Sequence, residues 1–292
     1  MGALEGRVAI ITGAGRGIGR EHALLFAREG AAVVVNDLGG SNEGEGTDTT
    51  PAQEVANEIV AAGGKAVANT DNIATWDGAK RVVDQAVGEL GGLDIVVNNA
   101  GILRDAFIAG MDEAQWDAVI AVHLKGHAAV LHHAAAYWKD QSKAGNQPNA
   151  AVINTASASG TTVPNAGQGN YGAAKAGIAA LTLVAADELA RYGVRVNAIA
   201  PIARTRLTLA TPGMGAMMAA EADEVEEGGF DAFSPANISP LVAYLASDKC
   251  PITGKVFAVQ GGAISELAGW HDVKTIETDG PWLIDDISAR LP

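Results

Sequence analysis

Cysteine and basic residues are scarce in this 292-residue chain, and each scarcity argues against a class of protein. The single cysteine, Cys250, cannot form an internal disulfide, which excludes a disulfide scaffold. Lysine and arginine total 20 against 34 aspartate and glutamate residues, so the net charge is −14. A charge of this sign repels nucleic-acid backbones and anionic membrane surfaces. We therefore expect neither a nucleic-acid partner nor a membrane partner.

Long apolar runs are also missing. No stretch reaches about 18 consecutive apolar residues, the minimum for a membrane-spanning helix. The first residues, MGALEGRVAIITGAG, lack the basic segment and apolar run of a secretion signal. A cytoplasmic location is the resulting expectation.

Seven short runs rich in β-branched residues alternate with longer helix-like segments. Because 48% of the residues are hydrophobic and no linker or repeat divides the chain, we predict one α/β domain with a parallel sheet covered on both faces. The runs are VAIIT at 8, AVVVN at 32, KAVAN at 65, DIVVNN at 94, AVINT at 151, VRVNAIA at 194 and KVFAV at 255.

Two segments fall outside this alternation. Residues 207–233 are rich in methionine and acid and suggest a substrate lid, placed at about 204–235 within a domain of residues 1–262. Residues 263–292 then form a C-terminal extension that wraps this subunit or a neighbour.

The segment VAIITGAGRGIGREHALLFAREG is typical of a strand, a glycine turn and an amphipathic helix. Gly13, Gly17 and Gly19 have the spacing GxxxGxG. Glycines at such a turn let the backbone approach a pyrophosphate, whose charge is stabilised by the free N–H groups at the start of the helix. The pattern predicts a dinucleotide site.

Asp37 ends the second strand, 18 residues after Gly19, where a carboxylate can accept both hydroxyls of an adenosine ribose. Its alternative role is that of an ordinary turn residue. Residues 30–64 contain no lysine or arginine to neutralise a 2′-phosphate beside it, although Arg16 in the glycine loop argues the other way. We predict NAD as the cofactor.

Tyr171 and Lys175 lie four residues apart in a segment with apolar residues at helical spacing. They therefore share one helix face. A tyrosine base at neutral pH needs a nearby cation to favour its phenolate, and Lys175 can supply it. On spacing alone, which is common by chance, an exposed pair on the helix surface would be the first interpretation.

The motifs TGAGRGIG, NNAG at 98 and YGAAK occur in order, and over about residues 5–262 the chain resembles the short-chain dehydrogenase/reductase family. The resemblance implies a doubly wound Rossmann fold with seven parallel strands in the order 3-2-1-4-5-6-7, and a cofactor at the switch between strands one and four. It also implies that Tyr171 is the catalytic acid/base and that Lys175 holds the nicotinamide ribose.

Carried over residue by residue, the resemblance assigns Asp71 and Asn72 to the adenine, residues 98–101 to the adenosine ribose and strand packing, and Thr205 to the nicotinamide amide. The full expected cofactor set is Gly13, Gly15, Arg16, Gly17, Ile18, Gly19, Asp37, Asp71, Asn72, Asn98, Ala100, Gly101, Tyr171, Lys175, Ile202 and Thr205.

The catalytic serine has two candidates in NTASASG, Ser157 and Ser159. The family pattern Ser-x-x-Gly matches Ser157 with Gly160. One residue more than usual separates that serine from the tyrosine, so the loop TTVPNAG must absorb it. We select Ser157.

In the segment AVHLKG, His123 stands where the family normally has an asparagine that anchors a water of the proton relay. A narrower resemblance, to the (3R)-hydroxyacyl-CoA dehydrogenase part of peroxisomal multifunctional enzymes type 2, accounts for the histidine. Imidazole can still donate and accept hydrogen bonds, so we expect His123 to take part in catalysis. Simple packing is the alternative.

A metal site is the weaker interpretation of these histidines. His123 and His127 share a face, but no third ligand has suitable spacing, so we expect no metal. His132 and His133 are expected on the surface or at a subunit contact.

The narrower resemblance implies NAD-dependent oxidation of a (3R)-hydroxyacyl-CoA to a 3-oxoacyl-CoA in β-oxidation, with acyl groups as bulky as a steroid side chain remaining possible. Apolar lid residues could contact the acyl chain or merely pack on the domain, and three arginines could meet CoA phosphates or pair with surface acids. The lid residues are Leu207, Leu209, Met214, Met217 and Met218; the arginines are Arg104, Arg204 and Arg206.

Two alternatives stay open: a hydroxysteroid or simple alcohol dehydrogenase without CoA, and a non-catalytic NAD-sensing protein. Apolar residues of the tail, such as Trp270 and Trp282, suggest docking. We expect a homodimer or homotetramer built from helices around 113–139 and 171–191.

Overall fold

A computed structural model of the chain describes residues 2–211, 214–223 and 228–291. Eight strands form one sheet in the order β3-β2-β1-β4-β5-β6-β7-β8. They are β1 (Val8–Thr12), β2 (Ala32–Asn36), β3 (Lys65–Asn69), β4 (Ile95–Asn98), β5 (Ala150–Thr155), β6 (Val194–Pro201), β7 (Val256–Gln260) and β8 (Ala263–Glu266).

The predicted order of the first seven strands is confirmed, and all seven are parallel. The predicted strand number was too low by one, because β8 pairs antiparallel with β7 in the register Gln260↔Ala263. Two glycines, Gly261 and Gly262, connect them, and Gly261 has a φ of +51°. Glycine adopts the backbone angles of such a two-residue turn at little cost, and this explains why the chain reverses there.

Helices cover both faces of the sheet. They are α1 (Gly17–Arg28), α2 (Thr50–Ala61), α3 (Trp76–Gln85), α4 (Glu113–Ile120), α5 (Gly126–Lys143), α6 (Ala158–Thr161), α7 (Gly169–Leu189), α8 (Arg206–Ala210), α9 (Met214–Asp223), α10 (Ser239–Ala246) and α11 (Ile284–Arg290).

The core consists of two layers, one on each face, because successive strand residues point to opposite sides. In β1, Ile11 packs with Phe26 of α1 and Leu245 of α10 in one layer. Its neighbour Ile10 belongs to the other layer, together with Val130 of α5. Every residue of β1 is buried, as expected for a central parallel strand.

The lid segment and the tail differ in burial. Met218 of α9 is fully buried, whereas Met217 and Leu209 are about half exposed. The side chain of Met214 lies outside the described residues. From residue 268 to 291, every position is exposed except Ile276 and Asp286, which are half-buried.

Over the residues that the structure describes, no helix has both the length and the apolar character needed to cross a membrane.

Candidate active site

A cleft opens at the carboxyl ends of the strands, where the connections from β1 and β4 leave in opposite directions. Such a switch point is where doubly wound sheets bind ligands. Many of the residues predicted from the sequence line this cleft: Gly13, Arg16, Gly17, Ile18, Asp37, Asp71, Asn72, Ala100, Gly101, His123, Tyr171, Lys175 and Thr205. Five others do not appear in its lining: Gly15, Gly19, Asn98, Ser157 and Ile202.

The glycine loop is shaped by close backbone contacts. Gly13 has a φ of +65°, and a side chain there would place its Cβ 2.7 Å from Cα of Ala100. A Cβ on Gly19 would collide with the carbonyl oxygen of Gly13, so Gly19 lets α1 pack against the loop. No side chain caps the start of α1. Its first N–H groups therefore face the cleft without a side-chain acceptor, an arrangement that fits a dinucleotide pyrophosphate.

Asp37 braces this loop as well as lining the cleft. Its Oδ2 accepts the Gly15 N–H at 2.8 Å, and its Oδ1 accepts the Gly39 N–H at 2.7 Å. A Cβ on Gly15 would lie 2.9 Å from Oδ2, so only glycine leaves room for the carboxylate. Each oxygen keeps further acceptor capacity for a ribose hydroxyl.

Two guanidinium groups lie near Asp37. Arg16 is 3.9 Å from the Asp48 carboxylate, and Arg206 lines the cleft. Burial and the charge of Arg16 lower the pKa of Arg206, while Asp37 and Glu43 raise it. Local sequence patterns link only Arg16 to the cofactor, and they leave Arg206 open between CoA phosphates and surface acids. The proximity of α8 to the glycine loop cannot be inferred from such patterns.

The wall beyond Asp37 is held by polar contacts. Asp71 accepts from Arg81 Nε at 2.6 Å and from Asn69 Nδ2 at 3.0 Å, and Asn72 Oδ1 accepts the Ala74 N–H at 2.9 Å. These contacts fix both predicted adenine-side residues at the cleft.

The run 98–101 divides between two roles. Asn98 is buried beneath the cleft and donates to Asn154 Oδ1 of β5 at 3.0 Å. Asn99 lines the cleft instead, and its amide donates to the carbonyl oxygens of Thr12 and Gly13 at 3.0 and 3.1 Å. Alternation along the strand places Asn99 on the side of the glycine loop.

Tyr171 and Lys175 lie one turn apart on α7, and both face the cleft. The Lys175 ammonium donates to the Thr155 carbonyl oxygen at 2.6 Å and lies 5.5 Å from the centre of the tyrosine ring. Burial lowers the pKa of Lys175 to about 7. Burial raises the pKa of Tyr171, a hydrogen bond with the Ser157 side chain opposes that rise, and the charge of Asp105 adds to it.

The two candidate serines have different partners. Ser157 precedes α6, accepts the Ser159 N–H at 3.2 Å, and its side chain opposes the rise in the pKa of Tyr171. The Ser159 hydroxyl donates to Gln168 Oε1 and accepts from Asn165 Nδ2, both at 2.8 Å. Ser159 thereby closes the loop that contains the additional residue.

His123 lies in a π-helical turn, Ala121–Lys125, that connects α4 to α5. Its Nε2 is 2.8 Å from the Ile102 carbonyl oxygen and 3.1 Å from the Ile102 nitrogen, while its buried Nδ1 has no hydrogen-bond partner among the residues that the structure describes. A Cβ on Gly101 would lie 2.5 Å from the imidazole. Burial, with a contribution from the charge of Lys175, lowers the pKa of His123 to about 3, so the ring is neutral near pH 7.

The remaining histidines separate into a buried and a surface group. His127 is buried, and burial lowers its pKa well below the ordinary value. His132 and His133 contact Trp76 at ring-centre distances of 4.9 and 5.5 Å, the first with its ring tilted and the second edge-on. Among the described residues, no three His, Cys, Asp or Glu side chains lie together in a way that could hold a metal ion.

Two of the three arginines considered for CoA phosphates pair with acidic side chains. Arg204 forms a two-pronged ion pair with Asp231, at 2.7 and 3.2 Å. Arg104 pairs with Glu45 at 3.2 Å. Of the three, only Arg206 lines the cleft, together with the lid residue Leu207.

Comparison with known proteins agrees with this geometry. A family model described as short chain dehydrogenase matches residues 7–211. A hydroxyacyl-CoA dehydrogenase, ChsB1, from Mycobacterium tuberculosis is 44% identical over 99% of this chain and 88% of its own length. The peroxisomal multifunctional enzyme type 2 of Drosophila melanogaster is 41% identical, over 91% of this chain and 40% of that protein. A crystal structure of a short chain dehydrogenase from Mycobacterium avium has a TM-score of 0.86 and 49% identity, covering 99% of this chain and 94% of that one.

Proposed function

This chain belongs to the short-chain dehydrogenase family, and we propose that it oxidises a (3R)-hydroxyacyl-CoA to the 3-oxoacyl-CoA with NAD, as a step of β-oxidation. The observation that carries the reaction type is that Tyr171 and Lys175, one turn apart on α7, both line the cleft, while the Ser157 side chain lies close enough to Tyr171 to oppose the rise of its pKa. The proposed substrate class is supported by relatives named hydroxyacyl-CoA dehydrogenase and peroxisomal multifunctional enzyme type 2.

In this proposal, Tyr171 takes the proton of the substrate hydroxyl. Ser157 donates a hydrogen bond to the same oxygen, which orients it and stabilises the charge that develops there. Because burial raises the pKa of Tyr171, its phenolate depends on positive charge nearby, and the Lys175 amine, whose pKa is about 7, is the group on α7 that can carry this charge. When bound, a nicotinamide supplies the acceptor for the hydride that leaves the carbinol carbon.

NAD is the cofactor that Asp37 favours. Its carboxylate lines the cleft with acceptor capacity to spare for ribose hydroxyls, and a 2′-phosphate at the same place would be repelled. Arg16 and Arg206 weaken that discrimination because their charges lie near Asp37. Because these two arginines line the same cleft as Asp37, the preference for NAD over NADP should be tested by measuring activity with both cofactors in parallel.

The test is NADH formation with paired (3R)- and (3S)-hydroxyacyl-CoA esters of several chain lengths, each with NAD and NADP. We expect turnover of the (3R) esters with NAD. Faster turnover of a free hydroxysteroid or simple alcohol than of its acyl-CoA counterpart would favour a dehydrogenase without CoA. Tyr171→Phe is the control, and it should lose at least about 100-fold in kcat. NAD binding without any turnover would support a sensing protein.

Self-association forms part of the proposal. Leu183 and Val184 on the outer face of α7 are 45% and 56% exposed, and Trp270 in the tail is 98% exposed. Burial of such residues against a second copy would remove apolar surface from water. Sedimentation should find a dimer or tetramer; a monomer that binds NAD normally would contradict this part.

A further inference from the structure

The connection between β2 and α2 contains a loop, residues 39–47, that we call the covering loop. Its two ends meet: the Asp48 N–H donates to the Leu38 carbonyl oxygen at 3.0 Å, and Gly39 packs so closely on Asp48 that a Cβ would collide with it. A loop with joined ends is a compact unit that can move without displacing the strands that carry it. Three of its residues, Gly40, Ser41 and Gly44, line the cleft.

The covering loop reaches from the Asp37 side of the cleft to the segment that follows β4. The Asn42 carbonyl oxygen accepts the Leu103 N–H at 2.9 Å. Gly44 contacts Ile102, since a Cβ at Gly44 would lie 3.0 Å from Ile102 Cδ1. The loop therefore joins two sides of the cofactor cleft that the sheet itself holds apart.

Two side chains secure this bridge: Asn42 Nδ2 donates to the Arg206 carbonyl oxygen at 3.4 Å, and Arg104 makes the shorter contacts. Its Nε donates to the Glu43 carbonyl oxygen at 2.7 Å, and its Nη2 lies 3.2 Å from Glu45 Oε1. Its own carbonyl oxygen accepts from Asn170 at 2.9 Å, which ties its backbone to α7 beside Tyr171. The backbone of Arg104 is thus anchored to α7, whereas the middle of the covering loop is held by the contacts of Asn42, Glu43, Gly44 and Glu45 described above.

The contacts at the tip are few and partly solvated. Glu45 is 72% exposed, so the ion pair itself contributes little, and the charged hydrogen bond to the Glu43 carbonyl is the stronger of the two. Segments held by few buried contacts open locally far more often than the whole domain unfolds. The loop can therefore open while the sheet stays intact.

We propose that Arg104 is a positioning residue for the cofactor: it holds the covering loop across the cleft and thereby slows cofactor release. The inference rests on the proposed function in one respect only, namely that a dinucleotide binds between Asp37 and Tyr171. A ligand that contacts both residues passes the part of the cleft that Gly40, Ser41 and Gly44 line. Leaving the cleft then requires the loop to open.

The experiment measures cofactor dissociation directly. The protein is loaded with NADH and mixed rapidly with excess NAD, and the loss of bound nicotinamide fluorescence gives the rate; NADPH with NADP is run in parallel. The variants are Arg104→Ala and a chain in which residues 40–47 are replaced by two glycines. Arg191→Ala, which removes an exposed arginine stacked on Tyr192, is the control for the loss of one positive charge.

We expect both test variants to release the cofactor at least about five times faster than the parent, and Arg191→Ala to stay within about twofold. Amide hydrogen exchange over residues 39–47 should also rise in Arg104→Ala. Dissociation rates within twofold of the parent in both test variants overturn the inference. An unchanged rate together with a raised KM for an acyl-CoA also overturns it, and would favour a contact of Arg104 with CoA phosphates.

The outcome is separable from that of the proposed function, because the measurement uses no alcohol. If the parent binds NADH but oxidises no hydroxyacyl-CoA, the proposed substrate is wrong while the dissociation rates still decide the role of Arg104. If the parent binds neither NADH nor NADPH, both proposals are wrong.

Discussion

The imidazole of His123 meets the phenol ring of Tyr171 edge-on, with ring centres 5.1 Å apart and an angle of 87° between the planes. His123 is buried and neutral near pH 7; one ring nitrogen contacts the Ile102 backbone, and the other has no hydrogen-bond partner in the described part of the chain. The imidazole is thus placed to orient the Tyr171 ring by direct contact. Its Nδ1 can form a hydrogen bond with a polar group beside it, but the ring does not carry a charge near pH 7.

For this residue we predict that His123→Asn keeps kcat within about tenfold, while His123→Leu lowers it by about 100-fold, because only the amide can still hydrogen-bond at this position. Steady-state kinetics over pH 6–9 measures the effect, and thermal unfolding of both variants checks that they fold. Equal activity of the two variants would show that His123 only fills space.

The two serines provide a matched pair. Ser157→Ala removes the hydroxyl that opposes the rise in the pKa of Tyr171 and is proposed to orient the substrate oxygen, and we expect kcat/KM to fall by about 100-fold. Ser159→Ala removes the contacts with Gln168 and Asn165, which should cost about 1 kcal/mol of stability but leave kcat/KM within about threefold. The reverse pattern of activities would assign the substrate oxygen to Ser159.

The choice between NAD and NADP should depend on the charges of Asp37 and Arg16. Asp37→Ser removes the carboxylate that repels a 2′-phosphate, and we expect the ratio of kcat/KM with NAD to that with NADP to fall by at least about tenfold, or about 1.4 kcal/mol. Arg16→Ala should move the ratio in the opposite direction, because it removes a nearby cation. A parent protein that prefers NADP would contradict the assignment of Asp37.

Lys175 should make stability depend on pH. Burial lowers its pKa from 10.5 to about 7, so between these values the unfolded chain holds a proton that the folded chain has released. The free energy of unfolding therefore rises with pH in this window, by at most about 3 kcal/mol between pH 7 and 9 from this group.

The measurement is urea unfolding of the parent and of Lys175→Met at pH 6.5 and pH 9. We expect the methionine variant to be the more stable at pH 6.5, because it lacks the cost of burying a charge, and the difference to shrink at pH 9. If the difference in the free energy of unfolding between the two proteins does not depend on pH, Lys175 keeps its charge from pH 6.5 to 9. Neighbouring groups would then stabilise that charge more than burial destabilises it.

Much of the fold can be predicted from the sequence alone. The seven apolar runs begin and end within one or two residues of the first seven strands, and the order implied by the family resemblance is confirmed. The strand β8 was not predicted because its sequence, AISE, is short and contains a serine and a glutamate. All four residues are exposed at the edge of the sheet, so they form no apolar run that would indicate a strand. Its pairing depends on the Gly261–Gly262 turn.

The glycine loop, the Tyr171–Lys175 spacing and the alternating strands could be inferred from residues near each other in the chain, because turn geometry and helical or strand periodicity are local properties. Only the packing of distant segments decided that Arg206 reaches the Asp37 rim, that Gly101 lies against the His123 ring, and that Arg104 holds the covering loop. Such contacts join residues tens of positions apart, and which of them form depends on how whole elements stack on the sheet.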